Sequence, residues 1–126
     1  MLYLDKIIGQ SSLPKVYIGM YIGIGGIVLD NTVFLNTNRE MPLLGLGVYK
    51  ATGENEAENA IISAVESGYR LIDTASVYKN EENVGRGIAS CGIPRNELFI
   101  TTKVWIDNYG YEKTKQSVLN SMKKLK

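Results

Sequence analysis

An acid, a phenol and an amine occur in this sequence at places from which they could act together. Asp73 ends a short apolar run at 71–72, Tyr78 follows five residues later, and Lys103 lies near the end of another apolar run. A phenol ionises with a pKa of about 10, which is too high for easy proton transfer at neutral pH. A neighbouring ammonium favours the phenolate, and a carboxylate paired with that ammonium holds it in place. The three residues therefore make a candidate tuned proton donor.

Each of the three residues also has a purely structural explanation. Asp73 is suited to capping the turn that follows it, Tyr78 to packing as a half-buried aromatic, and Lys103 to reaching into solvent from a strand end. Spacing alone does not choose between the two interpretations. The choice depends on the elements that hold these residues.

The strands read as a hairpin followed by three regularly spaced segments. Residues 32–47 alternate apolar and polar side chains around a turn at Thr37 and Asn38. Asparagine tolerates the left-handed backbone that such turns need. Short apolar or β-branched runs predict the three further strands, at 43–47, 69–74 and 98–104.

A helix is predicted after each of the three strands. Thr52 is expected to cap the first helix and Asn80 the second, because glutamates that favour the positive end of a helix follow both. Gly68 is expected to end the first helix, and the third begins near Tyr111. The side chains expected to face the core are Ala57, Ala60, Ile61, Ala64, Val65, Val84, Ile88, Val118, Met122 and Leu125.

The alternation of strands and helices predicts an α/β fold with parallel strands and right-handed crossovers. A doubly wound sheet and a (β/α)₈ barrel both fit that order, and three units are too few to close a barrel, which needs about 250 residues. In either architecture, reactive side chains gather at the carboxyl ends of the strands. Because neighbouring strands lie about 4.8 Å apart, Asp73, Tyr78 and Lys103 are predicted to meet at this edge.

Composition argues against several classes of function. Hydrophobic residues make up 44% of the 126 residues and charged residues 21%, as in a small globular domain. The net charge is +1, with one small lysine cluster at 123–126, so there is no electrostatic footprint for nucleic acid. Histidine is absent and Cys91 is the single cysteine, so we expect no metal site and no internal disulfide. The lone thiol, expected to be inert, suits a cytoplasmic protein.

The motifs around the three candidate residues resemble those of the aldo-keto reductases. The matching stretches are MPLLGLGVYK (41–50), GYRLIDTASVYKNEENVG (68–85), PRNELFITTKVW (94–105) and GYEKT (110–114). They are similar to those of small bacterial and plant-type NADPH-dependent reductases, of which diketogluconate reductase is an example. The resemblance implies that residues 32–126 form the N-terminal portion, a hairpin and about three βα units, of a TIM (β/α)₈ barrel.

The resemblance also implies an activity, the NADPH-dependent reduction of aldehydes and ketones to alcohols. Tyr78 matches the family's proton donor, Lys103 the lysine that tunes it, and Asp73 the aspartate paired with that lysine. The implied partners are a small carbonyl compound and NADPH (NADP+).

Further positions match the walls of the family's active site. Gly47, Val48 and Asp73 match positions that border the cofactor. Tyr49 and Trp105 match the substrate pocket, although a tryptophan at position 105 would also suit a core.

The chain departs from the family pattern in one catalytic residue type. The family's fourth catalytic residue is a histidine on a later strand, and these 126 residues contain none. The later strands, which supply most of the family's contacts to NADPH, have no counterpart here. We therefore expect a truncated reductase (a partial gene model, a pseudogene product or a fragment) with little or no activity of its own. A non-catalytic barrel partner domain is the alternative, but it would have no need of the Asp–Lys–Tyr set.

Residues 1–31 differ in composition from the rest of the chain. The stretch VYIGMYIGIGGIVL (16–29) has no charge and four glycines. It is shorter than the ~20 residues of a membrane span, lacks a signal-peptide cleavage site, and departs from G-x-G-x-x-G. We interpret 1–31 as an apolar Gly-rich extension of unknown role, with a membrane or export role, or a start at Met20, as alternatives. Residues 32–126 are then a partial reductase domain, in a family that is mostly monomeric, whose open third-strand edge would invite self-association.

Overall fold

The computed structural model describes residues 21–23, 26–28 and 32–126. Two short strands in the apolar N-terminal stretch, β1 (Tyr21–Gly23) and β2 (Gly26–Val28), pair antiparallel. The remaining residues of the predicted extension at 1–31 lie outside the described residues. Its interpretation as an apolar extension of unknown role therefore stays a prediction.

A hairpin precedes the main sheet. Its strands β3 (Thr32–Phe34) and β4 (Glu40–Pro42) pair antiparallel, with Val33 opposite Met41. In the connecting turn the Asn38 amide donates to the Leu35 carbonyl at 2.9 Å, and Asn38 has φ of 56°. Asparagine populates this left-handed region more readily than most residues, which confirms the turn predicted at this position.

Three parallel strands form the sheet that carries the candidate site. They are β5 (Gly45–Gly47), β6 (Leu71–Asp73) and β7 (Phe99–Thr101), in spatial order β5-β6-β7, with Gly47 beside Asp73 and Asp73 beside Thr101. The helices α1 (Glu56–Glu66), α2 (Glu81–Ser90) and α3 (Tyr111–Leu125) follow the strands in turn. The parallel direction and the alternation of strands with helices agree with the prediction, but each strand is shorter than predicted because its flanking residues belong to the loops.

The core lies between the sheet and the helices. Ile61 of α1, Ile72 of β6 and Val84 of α2 are completely buried. Leu98 and Leu125 are also buried in this cluster, so residues from all three strand–helix units contribute to one core. Burial of these side chains is the main favourable contribution to the fold.

Two glycines of α2 let the helices approach closely. A Cβ on Gly85 would lie 1.9 Å from the Lys124 carbonyl oxygen of α3, and one on Gly87 would lie 3.0 Å from Glu58 Cα of α1. Real Cβ atoms do not come as close as 1.9 Å to another heavy atom, so α3 can take this position only beside a glycine.

The helix caps differ from the prediction. Thr52 does not cap α1, because the helix begins four residues later at Glu56, after Asn55 in a left-handed conformation (φ 62°). The Glu56 carboxylate instead accepts a hydrogen bond from the Gly53 amide at 2.9 Å. Asn80 does precede α2, but its side chain makes no capping bond. Gly68, with φ of 95°, follows the end of α1 as predicted.

The predicted apolar face of α3 is wrong in two of its three residues. Leu125 is buried, but Val118 and Met122 are 42% and 64% exposed. The other buried residues of α3 are Ser117 and Ser121. The buried side of α3 thus consists of Ser117, Ser121 and Leu125, whereas Val118 and Met122 lie on its exposed side.

Candidate active site

The candidate site lies at the carboxyl edge of the parallel sheet. Asp73 is the last residue of β6, and Lys103 lies two residues beyond β7. Tyr78 ends a 3₁₀ turn, Ser76–Tyr78, in the loop between β6 and α2. The parallel register places Asp73 beside Thr101, so the chain reaches Lys103 on the same side of the sheet.

Asp73 and Lys103 form the centre of the site. The Lys103 ammonium donates to both carboxylate oxygens of Asp73 at 2.6 Å and to the Thr74 carbonyl at 2.9 Å. The Thr101 hydroxyl donates to Asp73 Oδ1 at 2.6 Å. These are short, charge-assisted hydrogen bonds, which hold the ammonium in a defined place. The two side chains remain 46% and 40% exposed, so solutes can reach them.

Tyr78 lies next to this ion pair. Lys103 Nζ is 5.7 Å from the centroid of the Tyr78 ring, within the range of a cation–π contact. The turn that carries Tyr78 is fixed to the exit of β7, because the Ser76 amide and hydroxyl donate to the Lys103 carbonyl at 3.2 and 2.9 Å. The structure thus brings together the acid, the amine and the phenol that the sequence singled out.

Aromatic side chains form a cleft beside Tyr78. The rings of Tyr49 and Tyr78 are 4.9 Å apart between centroids. Trp105 is 42% exposed and, with Val77 and Lys50, contributes to the walls of a cleft of about 400 Å³. Both predicted substrate-pocket residues therefore line one cavity with the candidate proton donor.

The predicted cofactor positions have different environments. Gly47 is exposed at the end of β5, and no atom lies within 4 Å of the place where its Cβ would be. Val48 is only 2% exposed, its amide donates to the Asp73 carbonyl, and its own carbonyl accepts from Asn80. Gly47 and Asp73 therefore offer an accessible surface, whereas Val48 belongs to the core.

Asn80 was predicted only as a helix cap, yet it holds the loops of the site together. Its amide group donates to the Val48 carbonyl at 2.9 Å and to the Ala51 carbonyl at 3.1 Å. Its oxygen accepts from the Thr74 hydroxyl at 3.2 Å. Asn80 is 3% exposed and Thr74 is completely buried. A polar residue two positions after Tyr78 was visible in the sequence, but its distant partners were not.

The described part of the chain contains neither a cluster of metal-ligand side chains nor a helix that could span a membrane. No three His, Cys, Asp or Glu side chains there come together as they would around a metal ion. No helix within residues 21–23, 26–28 and 32–126 is long and apolar enough to cross a membrane.

Comparison with known proteins identifies the family. The model of the aldo/keto reductase family matches residues 43–126. The glyoxal reductase of Bacillus subtilis is 50% identical over 97 residues, which are 77% of this chain and 35% of that protein. The methylglyoxal reductase of Escherichia coli is 48% identical over 91 residues, 72% of this chain and 32% of that protein.

Solved structures that resemble this chain belong to the same family. An aldo/keto reductase from Brucella melitensis matches with a TM-score of 0.70 and 46% identity, over 75% of this chain and 36% of that one. The Bombyx mori aldo-keto reductase, solved in complex with NADP, matches with a TM-score of 0.70 and 39% identity, over 75% of this chain and 34% of that one.

The chain spans about a third of the length of these relatives. The hairpin and the three βα units are the N-terminal portion of a TIM (β/α)₈ barrel, which confirms the predicted fold class. The family match over residues 43–126 covers well over half of the sequence, so the chain belongs to the aldo/keto reductase family.

Proposed function

We propose that this chain carries the proton-donating part of the active site of an NADPH-dependent carbonyl reductase. The observation that supports this most directly is the position of the Lys103 ammonium: it donates a hydrogen bond to Asp73 at 2.6 Å and lies 5.7 Å from the centroid of the Tyr78 ring. A lysine serving only solubility would extend into water without such partners. The proposed compartment is the cytoplasm.

Tyr78 is the proposed proton donor to the carbonyl oxygen of the substrate. When the hydroxyl gives up its proton, a negative charge develops on the phenol oxygen. The nearby Lys103 ammonium stabilises that charge, and a preorganised cation in a partly enclosed site does so at little cost in reorganisation. Asp73 keeps the ammonium in place through two hydrogen bonds of 2.6 Å.

Gly47 and Asp73 are the proposed contacts to NADPH. The open space beside Gly47 allows a flat ring to approach the backbone, and the exposed Asp73 carboxylate can accept a hydrogen bond from a ribose hydroxyl. When bound, this cofactor supplies the hydride that adds to the carbonyl carbon. The carbonyl oxygen takes the proton from Tyr78, so that hydride on carbon and proton on oxygen together give the alcohol.

The proposed substrates are small aldehydes and ketones. The cleft beside Tyr78 holds about 400 Å³ and is walled by Tyr49 and Trp105, which suits a compact carbonyl compound. Relatives named for glyoxal and methylglyoxal reduction make such dicarbonyls the first substrates to test.

The 126 residues alone are proposed to have little or no turnover, because they contain no histidine to complete the family's catalytic set. The test compares this chain with a chimera in which residues 1–126 are followed by the remaining barrel of the Bacillus subtilis glyoxal reductase. Consumption of NADPH with methylglyoxal is measured for both.

We expect the chimera to consume NADPH and the Tyr78→Phe chimera to be slower by about 100-fold or more, the usual contribution of a general acid. Tyr111→Phe is the matched control, because Tyr111 is 81% exposed at the start of α3. A chimera that is equally active with phenylalanine at position 78 would refute the role of Tyr78. Rapid NADPH consumption by the 126 residues alone would refute the proposed lack of turnover.

A further inference from the structure

Glu81 is buried in a position where glutamate is normally exposed. It begins α2, and both Glu81 and Glu82 stand in the first turn, where acidic side chains favour the positive end of a helix. Glu82 is exposed, as expected for that role, but Glu81 is only 2% exposed. Burying a carboxylate is costly unless it is paired, so helix capping alone does not account for Glu81.

The partners of Glu81 lie on two other elements. The Thr102 hydroxyl donates to Glu81 Oε1 at 2.8 Å. The Lys124 ammonium of α3 lies 4.0 Å from Oε2, at the outer limit of an ion pair. The short bond to Thr102 is therefore the closer and more directional of the two contacts.

Thr102 immediately precedes Lys103. The exit of β7 is thus held at successive residues: Asp73 binds the hydroxyl of Thr101 and the ammonium of Lys103, and Glu81 binds the hydroxyl of Thr102 between them. Thr101 and Lys103 contact Asp73 whereas Thr102 contacts Glu81, so Asp73 and Glu81 hold alternate residues of this segment. Glu81 also lies three residues after Tyr78.

We infer that Glu81 is a positioning residue for the reduction: through Thr102 it fixes the chain that carries Lys103 relative to the turn that carries Tyr78. This inference rests on the proposed function for its catalytic meaning. Its structural content, that Glu81 restrains Lys103, can be measured without any turnover.

The test measures how readily each lysine is acetylated. The 126-residue chain is labelled with a trace of acetic anhydride, and peptide mass spectrometry gives the rate at Lys103 relative to Lys115, an exposed lysine of α3. To react, Lys103 must leave Asp73 and the Thr74 carbonyl, so its rate reports how firmly it is held.

Four variants separate the possible causes. Glu81→Ala and the isosteric Thr102→Val both remove the hydrogen bond, whereas Glu81→Gln keeps an acceptor oxygen for Thr102 and loses the charge that faces Lys124. Glu82→Ala is the matched control from the same helical turn. We expect the relative rate at Lys103 to rise at least about twofold in Glu81→Ala and Thr102→Val, the lower end of coupling within one hydrogen-bond network. Glu81→Gln and Glu82→Ala are expected to match the parent.

The double variant Glu81→Ala/Thr102→Val is expected to add nothing to either single change. An unchanged acetylation rate of Lys103 in Thr102→Val would overturn the inference. So would an equal rise of that rate in Glu81→Gln and Glu81→Ala, because it would assign the effect to the Lys124 ion pair. If Glu81→Ala does not fold, Glu81→Gln is compared with Thr102→Val instead, and a Glu81→Gln variant as reactive as Thr102→Val would overturn the inference. These outcomes are independent of the Tyr78→Phe assay, so failure of the inference and failure of the proposed function are distinguishable.

Discussion

Replacing Asn80 with alanine should destabilise the fold far more than the loss of one polar side chain usually does. Asn80 makes three hydrogen bonds, to the carbonyls of Val48 and Ala51 and from the hydroxyl of Thr74. Val48 is 2% exposed and Thr74 is completely buried, so water cannot readily replace the lost partner. The groups left behind therefore bear a desolvation cost in the folded state.

The magnitude follows from the number of groups left unpaired. A buried donor or acceptor without a partner costs about 1–3 kcal/mol. The Val48 carbonyl and the Thr74 hydroxyl are both deeply buried, and the Ala51 carbonyl is partly buried. Asn80→Ala should thus lower the free energy of unfolding by about 3 kcal/mol, a large part of the ~5–15 kcal/mol typical of a small domain.

The assay is urea unfolding followed by tryptophan fluorescence and far-ultraviolet circular dichroism. Trp105 is the single tryptophan of the chain and lies beside the site, so its signal reports this region directly. Asn80→Asp adds a second test, because aspartate has the same size but cannot donate to the two carbonyls. It should destabilise at least as much as alanine does.

Asn59→Ala is the matched control. Asn59 is exposed on α1, and its replacement should change stability by no more than about 0.5 kcal/mol. A loss below about 1 kcal/mol in Asn80→Ala, close to that of the control, would refute the reasoning that Asn80 satisfies buried groups. An Asn80→Asp variant with the stability of the parent would also refute it.

Three further predictions concern packing and chemistry. Gly85→Ala should lower the free energy of unfolding by about 1–3 kcal/mol in urea, because the new Cβ would lie 1.9 Å from the Lys124 carbonyl oxygen. Gly47→Ala is the control, since its Cβ would meet open space and should leave stability unchanged. Equal losses of stability in the two variants would argue against close α2–α3 packing. Ile61→Ala, at a completely buried position, should cost about 2–5 kcal/mol in the same assay, and a loss below 1 kcal/mol would contradict its place in the core. Lys103→Met in the chimera should lower kcat for methylglyoxal by about tenfold or more while circular dichroism stays unchanged, and an undiminished kcat would remove Lys103 from the mechanism.

Much of the fold follows from local patterns in the sequence. The left-handed residue Asn38 in the hairpin turn and Gly68 after α1 were predicted from residue type, because few residues adopt positive φ without cost. The strand–helix alternation predicted a parallel sheet, and the rule that reactive groups gather at its carboxyl edge predicted the meeting of Asp73 with Lys103. Three strand–helix units fit either a doubly wound sheet or a (β/α)₈ barrel, and only the resemblance to a family predicted the barrel.

Other features depend on contacts between distant parts of the chain. The Asn80 side chain bonds to Val48, 32 residues away, and Glu81 bonds to Thr102, 21 residues away, so no local pattern indicates either role. Periodicity likewise put Met122 in the core, whereas Ser117, Ser121 and Leu125 form the buried side of α3 and Met122 is 64% exposed. Local propensity is a property of neighbouring residues, whereas the burial and the partner of a polar side chain are set by which surfaces meet when the helices pack on the sheet.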